Sequence, residues 1–124
     1  MSGHSVRQFQ FSNLVVGPVP GSYTADTTVA QDLPYFQGHF PDQPMLPGAV
    51  ILEISLAFVR FAMDDPRLTV RTARQGKFSA PILPGATYRI LAERHPSGGC
   101  WVEWREGQAD DVIVEVLFAF GPLE

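Results

Sequence analysis

The spacing of apolar residues changes character twice along the chain. From Arg7 to Val16 the pattern is extended, with Phe9 and Phe11 among aliphatic residues, and it stops at the turn cluster Gly17, Pro18, Pro20, Gly21. Ser22 to Gln31 then carries Tyr23, Thr24, Thr27, Thr28 and Val29, the β-branched and aromatic residues that suit a second, paired strand. Ala49 to Met63 is apolar in almost every position and reads as a helix. Asp64, Asp65 and Pro66 end it, and everything downstream reads as strand: Leu68–Ala80, Ala86–His95, Cys100–Glu106 and Asp111–Phe120. Their separators, PILPG, PSGG and GQADD, are rich in the residues turns need. In the last segment Val112, Val114, Val116, Phe118 and Phe120 share one face while Ile113, Leu117 and Ala119 occupy the other, which predicts a strand covered on both faces. Two strands, one helix and four strands give an α+β class, with five to six strands curved around the helix.

A helix of roughly fifteen residues is about 22 Å long, enough for the middle of a small domain and too short for a bilayer. The prediction is therefore a buried core helix. With 124 residues the chain is expected to be a single domain, 1–124, and so small a domain covers an all-apolar helix more easily with a second copy, so a homodimer is expected. The composition, 45% hydrophobic with a mean hydropathy of +0.03, is that of a globular chain. A net charge of −4 with nine Lys plus Arg argues against nucleic acid. Those cations are nonetheless clustered: Arg67, Arg71, Arg74 and Lys77 fall in one segment, with Arg60 just before it. Such a patch suits an acidic partner or a phosphate group; the plainer alternative is a solvated strand pairing with Asp64 and Asp65. The lone Cys100 excludes an internal disulfide and lies in a strand pattern as packing. No apolar leader or membrane-spanning run is visible, so a soluble, cytoplasmic protein is expected.

The chemistry is concentrated in Gly38–Glu53, GHFPDQPMLPGAVILE. Pro41, Pro44 and Pro47 fix φ three times in a short span, so His39 sits in a stiff loop that forms neither helix nor sheet. Gly48 permits close approach of a ligand to the backbone at the helix start. Glu53 is the one acidic residue inside the apolar run, and burial there would favour its protonated form. Taken singly, His39 is an ordinary loop histidine and Glu53 a surface or capping carboxylate. Together, with Gly48 between them, they form an acid, a base and a backbone donor at fixed spacing. His4 and His95 read as surface residues and the three histidines lack ligand spacing, so no metal is expected. Ser55 lacks a nucleophile elbow and reads as a helix residue; Trp101 and Trp104 read as packing or interface.

These residues resemble the active-site motif of the β-hydroxyacyl-(acyl carrier protein) dehydratases, enzymes of the hotdog fold. The resemblance rests on GHFP, the prolines after it, the LPG that opens the helix, and an acid fourteen positions after the histidine. The later KFSAPILPG, with Lys77, Phe78, Pro81, Ile82, Pro84 and Gly85, adds to it, and about Leu33 to Tyr88 is covered well. It implies dehydration of a 3-hydroxyacyl thioester to the trans-2-enoyl thioester, with an acyl carrier protein bearing the chain on phosphopantetheine as partner, and no cofactor.

The resemblance gives His39 the role of base, Glu53 that of acid or water-positioning group, and the Gly48 N–H that of donor to the thioester oxygen. It implies that His39 of one subunit meets Glu53 of the other, and that the His39–Phe40 peptide is cis. Phe40, Met45, Leu46 and Phe58 are candidates to line the acyl chain, although core packing accounts for them equally; Phe61 falls under both readings too. Arg67, Arg71, Arg74 and Lys77 are candidates for carrier docking. Two departures stand out: no His-Arg-Tyr-Pro-Phe-like segment precedes the first strand, and Ala57 replaces a frequent Gln. The first favours a polyketide-like or aryl-polyene pathway over housekeeping fatty acid synthesis. The rivals are a hotdog thioesterase and a non-catalytic acyl-carrier binding subunit.

Overall fold

The computed structural model describes residues 9–30, 46–96, 98–107 and 111–120. Two strands come first, β1 (Phe11–Val16) and β2 (Ser22–Thr28). The single described helix, α1 (Gly48–Ala62), follows. Then come β3 (Val70–Phe78), β4 (Thr87–Arg94), β5 (Cys100–Glu106) and β6 (Val112–Phe120). All six strands form one antiparallel sheet in the order β1-β2-β4-β5-β6-β3. The elements agree with the period changes in the sequence to within a few residues. β6 has a neighbour on each side, as its two apolar faces predict.

Period-two alternation sorts each strand into a face toward the helix and a face away from it. Tyr88, Ile90, Ala92, Val102, Trp104, Val114 and Val116 have no exposed surface, and they alternate with half-exposed Arg89, Leu91, Glu103 and Glu115. Against this inner face α1 turns Val50, Ile51, Ile54, Ser55, Phe58, Val59 and Ala62, an apolar stripe at helical period. Full burial of Phe58 or Val59 contributes about 1.5–3 kcal/mol each relative to exposure. Phe58 also packs against Phe11 of β1 with the rings tilted at 54° and 5.1 Å apart, which brings the sheet's edge over the helix.

One polar contact fixes how the helix is seated. Ser55 Oγ donates to Ile51 O at 2.8 Å and accepts the Trp104 Nε1–H at 2.9 Å, so both polar groups are satisfied without water. The sequence reading of both residues as scaffold therefore holds: Ser55 and Trp104 have no exposed surface. Cys100 is likewise fully buried and free, and burial pushes its thiol up to about 11.

The helix is open on its other side in this chain. Ala49, Glu53 and Phe61 are exposed, and Leu52, Leu56 and Ala57 are only half-buried. The expectation of burial all round thus holds for one face, and the open apolar face is what a second polypeptide would cover. Asp64, with φ of 52°, ends the helix, and Arg60 donates from Nε and Nη2 to Leu68 O, at 3.0 and 2.7 Å. Arg60 ties the turn into β3 and complements the helix C-terminus.

Candidate functional site

The helix start at Gly48 is built by Pro47, whose extended backbone (φ −61°, ψ 150°) occupies the capping position without a side-chain cap. Its carbonyl accepts from Val50 and Ile51 at 3.0 and 3.1 Å. The N–H groups of Gly48 and Ala49 have no acceptor among the described residues. Two free donors at the positive end of the helix dipole can bind an oxygen that gains negative charge.

Glu53 lies between one and two turns further on, on the exposed face of α1. Its neighbours in sequence, Ile54 and Ser55, point into the core, so the carboxylate points away from its own sheet. The burial expected for it is absent in this chain. His39, Phe40 and Met45 lie outside the described residues, as do the His39–Phe40 peptide and His4. Leu46 is buried directly before the helix, and Phe58 has no exposed surface and packs in the core. The core alternative weighed for these two from sequence is where the described chain puts them. Half-buried His95 sits at the turn between β4 and β5, where its carbonyl accepts from Gly98 at 2.9 Å.

Arg67, Arg71, Arg74 and Lys77 are all exposed. Arg67 precedes β3, and its backbone N–H reaches Asp65 Oδ1 at 3.2 Å. Among the described residues none of the four side chains forms an ion pair with Asp64 or Asp65, so the pairing alternative is not realised there. The β3–β6 register sets Arg74 opposite Leu117 and Lys77 opposite Glu115, which places both on the sheet face away from the helix. One chain alone therefore does not bring Arg74 and Lys77 together with Glu53. No metal-ligating cluster occurs among the described residues. No described helix is long and apolar enough to cross a membrane.

The turn that PILPG marks in the sequence adjoins the helix start. Leu83–Ala86 closes with Ala86 N–H to Leu83 O at 3.4 Å, and Pro84 followed by Gly85 at φ +80° is the residue pair a type II turn requires. Ile82 O accepts from Leu46 at 3.0 Å, so this turn holds the residue two places before Gly48. The turn was legible in KFSAPILPG, but its contact with Tyr88, whose hydroxyl accepts the Leu83 N–H at 2.9 Å, was not.

A helix laid on one face of an antiparallel sheet in this strand order defines an α+β protein of the hotdog class. Residues 19–115 match the family model described as ApeI-like, ApeI dehydratase. The chain belongs to that dehydratase family. Among curated relatives, the 3-hydroxyacyl-(acyl-carrier-protein) dehydratase FabZ of Rhodospirillum rubrum is 33% identical over 69% of this chain and 60% of its own length. The FabZ of Myxococcus xanthus is 36% identical over 75% of this chain and 67% of its own length. The chain thus spans less than two thirds of the first and about two thirds of the second. Among solved structures, the dehydratase heterocomplex ApeI:P from Xenorhabdus doucetiae has the same fold, with a TM-score of 0.74 and 17% identity over 92% of this chain and 98% of that one.

Proposed function

We propose that the chain is one dehydratase domain, 1–124, that removes water from a 3-hydroxyacyl group held as a thioester on the phosphopantetheine of an acyl carrier protein. The product is the trans-2-enoyl thioester, in a fatty acid or polyketide-like pathway. The observation that supports this most is the membership in a dehydratase family of a chain whose helix opens with Gly48 and Ala49 N–H groups that have no acceptor among the described residues, and carries Glu53 on its open face.

The chemistry follows from what must move. His39 takes the proton beside the carbonyl, being the side chain with an ordinary pKa nearest neutrality. Negative charge that gathers on the thioester oxygen is met by the Gly48 N–H, which is already oriented and needs no rearrangement. The C–O bond to the 3-hydroxyl breaks as Glu53 gives its proton, so hydroxide leaves as water and the electron pair from the Cα–H bond forms the double bond. Proton transfer from Glu53 to the leaving hydroxyl calls for a site closed to water, which the exposed position in one chain does not provide. A second copy laid over the open face of α1 would provide it, and would let His39 of one copy face Glu53 of the other. Phe40 and Met45 are proposed to contact the acyl chain, with Leu46 and Phe58 supporting it from the core. Arg67, Arg71, Arg74 and Lys77 are proposed to meet the acidic carrier or its phosphate.

The test is incubation of the purified protein with a short trans-2-enoyl thioester, following loss of the conjugated chromophore as water adds, with free thiol monitored in parallel. Hydration without thiol release is expected. Thiol release assigns a thioesterase, and carrier binding without turnover assigns a binding subunit.

A further inference from the structure

Tyr88 occupies an inward position of β4, with no exposed surface and its ring 5.8 Å from that of Trp104. Phenylalanine would fill such a place. A buried hydroxyl is costly unless it is hydrogen-bonded, and this one accepts the N–H of Leu83 at 2.9 Å. That N–H has no backbone acceptor among the described residues, so the hydroxyl is what satisfies it. The turn so pinned makes three further bonds. Ile82 O accepts from Leu46 at 3.0 Å, Ala86 O accepts from Val29 at 3.0 Å, and Gly85 N–H donates to Val29 O at 2.7 Å.

Val29 and Leu46 are the anchors flanking residues 31–45, the stretch of sequence that bears His39, and Leu46 also leads through Pro47 into Gly48. Val29, Leu46 and Ile82 are all buried, at 3%, 4% and 0% exposure, so water is poorly placed to replace a lost bond. One turn therefore fixes both flanks of the histidine-bearing stretch and the entry to the helix that supplies Gly48 and Glu53. We propose that Tyr88 is a positioning residue of the site: its hydroxyl, through the 82–86 turn, sets the place of the Gly48 N–H and of the chain ends on either side of His39. The inference rests on the dehydratase reading for its consequence in catalysis, and on hydrogen bonds alone for the clamp itself.

The test is Tyr88→Phe, which removes one oxygen, compared with Ile90→Val, which trims the same strand without touching the turn. Amide hydrogen exchange is read by residue. In Tyr88→Phe the amides of Val29, Leu46 and Leu83 are expected to exchange at least about tenfold faster, while those of Val102 and Val116 in the central strands keep their rates. Ile90→Val is expected to leave that local contrast absent. In enoyl hydration, Tyr88→Phe is expected to lower kcat about tenfold with KM within about twofold, since the misplaced donor acts in the transition state. Uniform exchange changes across the chain, or none, would overturn the clamp. An unchanged kcat in an active protein would overturn the catalytic role. A wild type silent toward thioesters removes the dehydratase reading, while the exchange result still decides the clamp.

Discussion

Trp104 and Ser55 illustrate how one polar pair in an apolar core sets orientation. Ser55→Ala leaves the buried Trp104 N–H without its acceptor, and a loss of about 1–3 kcal/mol is expected by urea denaturation. In Ser55→Ala/Trp104→Phe the orphaned donor is gone too, so the double variant is expected to lose less than the sum of the single changes. Cys100 gives a second prediction at this scale. Its thiol, raised from 9.0 to about 11 by burial, has about 100-fold less thiolate than an ordinary one at pH 8, and access is closed as well. Alkylation of the native protein at pH 8 is therefore expected to be at least about 100-fold slower than that of the denatured chain. Because the folded pKa is raised, this thiol's contribution to stability is fully present below pH 9 and is lost as pH rises through about 11. Tyr88, whose hydroxyl is also raised from its ordinary 10.0 by desolvation, acts in the same direction as pH climbs past 10, so the melting temperature is expected to fall in alkaline solution.

At the scale of elements, the turns decide what the strands can do. Gly85, at φ +80°, occupies a position that L side chains rarely adopt, so Gly85→Ala is expected to cost about 1 kcal/mol or more in thermal or urea unfolding. Gly99 is more restrictive, since a Cβ there would collide with the carbonyl of Phe118 on the neighbouring strand. Most of this architecture was legible in the sequence. The turn clusters and the shift from period two to an apolar run and back mark all six strands and the helix, and the alternation in β6 announces its interior place. What the sequence could not show is which side of α1 is covered. An apolar run looks the same whether one face or both are buried, and only the pairing of Ser55 with Trp104 and of Phe58 with Phe11 tells inside from outside. For the same reason Glu53 read as buried, whereas in one chain it faces outward. The motif residues were visible by spacing, but His39, Phe40 and Met45 lie outside the described residues and their placement rests on the resemblance. The basic cluster was visible as a run, whereas its separation from Glu53 appears only once the register assigns Arg74 and Lys77 to the far face.

For the whole molecule, the exposed Glu53 and the open apolar face of α1 both fit the proposed second copy. Both edge strands carry register shifts, but β3, at nine residues against six for β1, offers the longer ladder for pairing. Two β3 strands side by side would bring Arg71, Arg74 and Lys77 of both copies near one another, and like charges across strands repel. Salt screens that repulsion, so the proposed dimer is expected to tighten as ionic strength rises, measured by sedimentation across a salt series. The most direct test of the central claim uses two variants, His39→Ala and Glu53→Gln, each expected to abolish enoyl hydration alone. Mixed and allowed to exchange subunits in equal amounts, they form hybrid dimers in half of the population, each with one intact site. Recovery of about a quarter of wild-type activity is expected. No recovery from a mixture whose hybrid dimers are verified by mass would contradict a site built from His39 of one copy and Glu53 of the other.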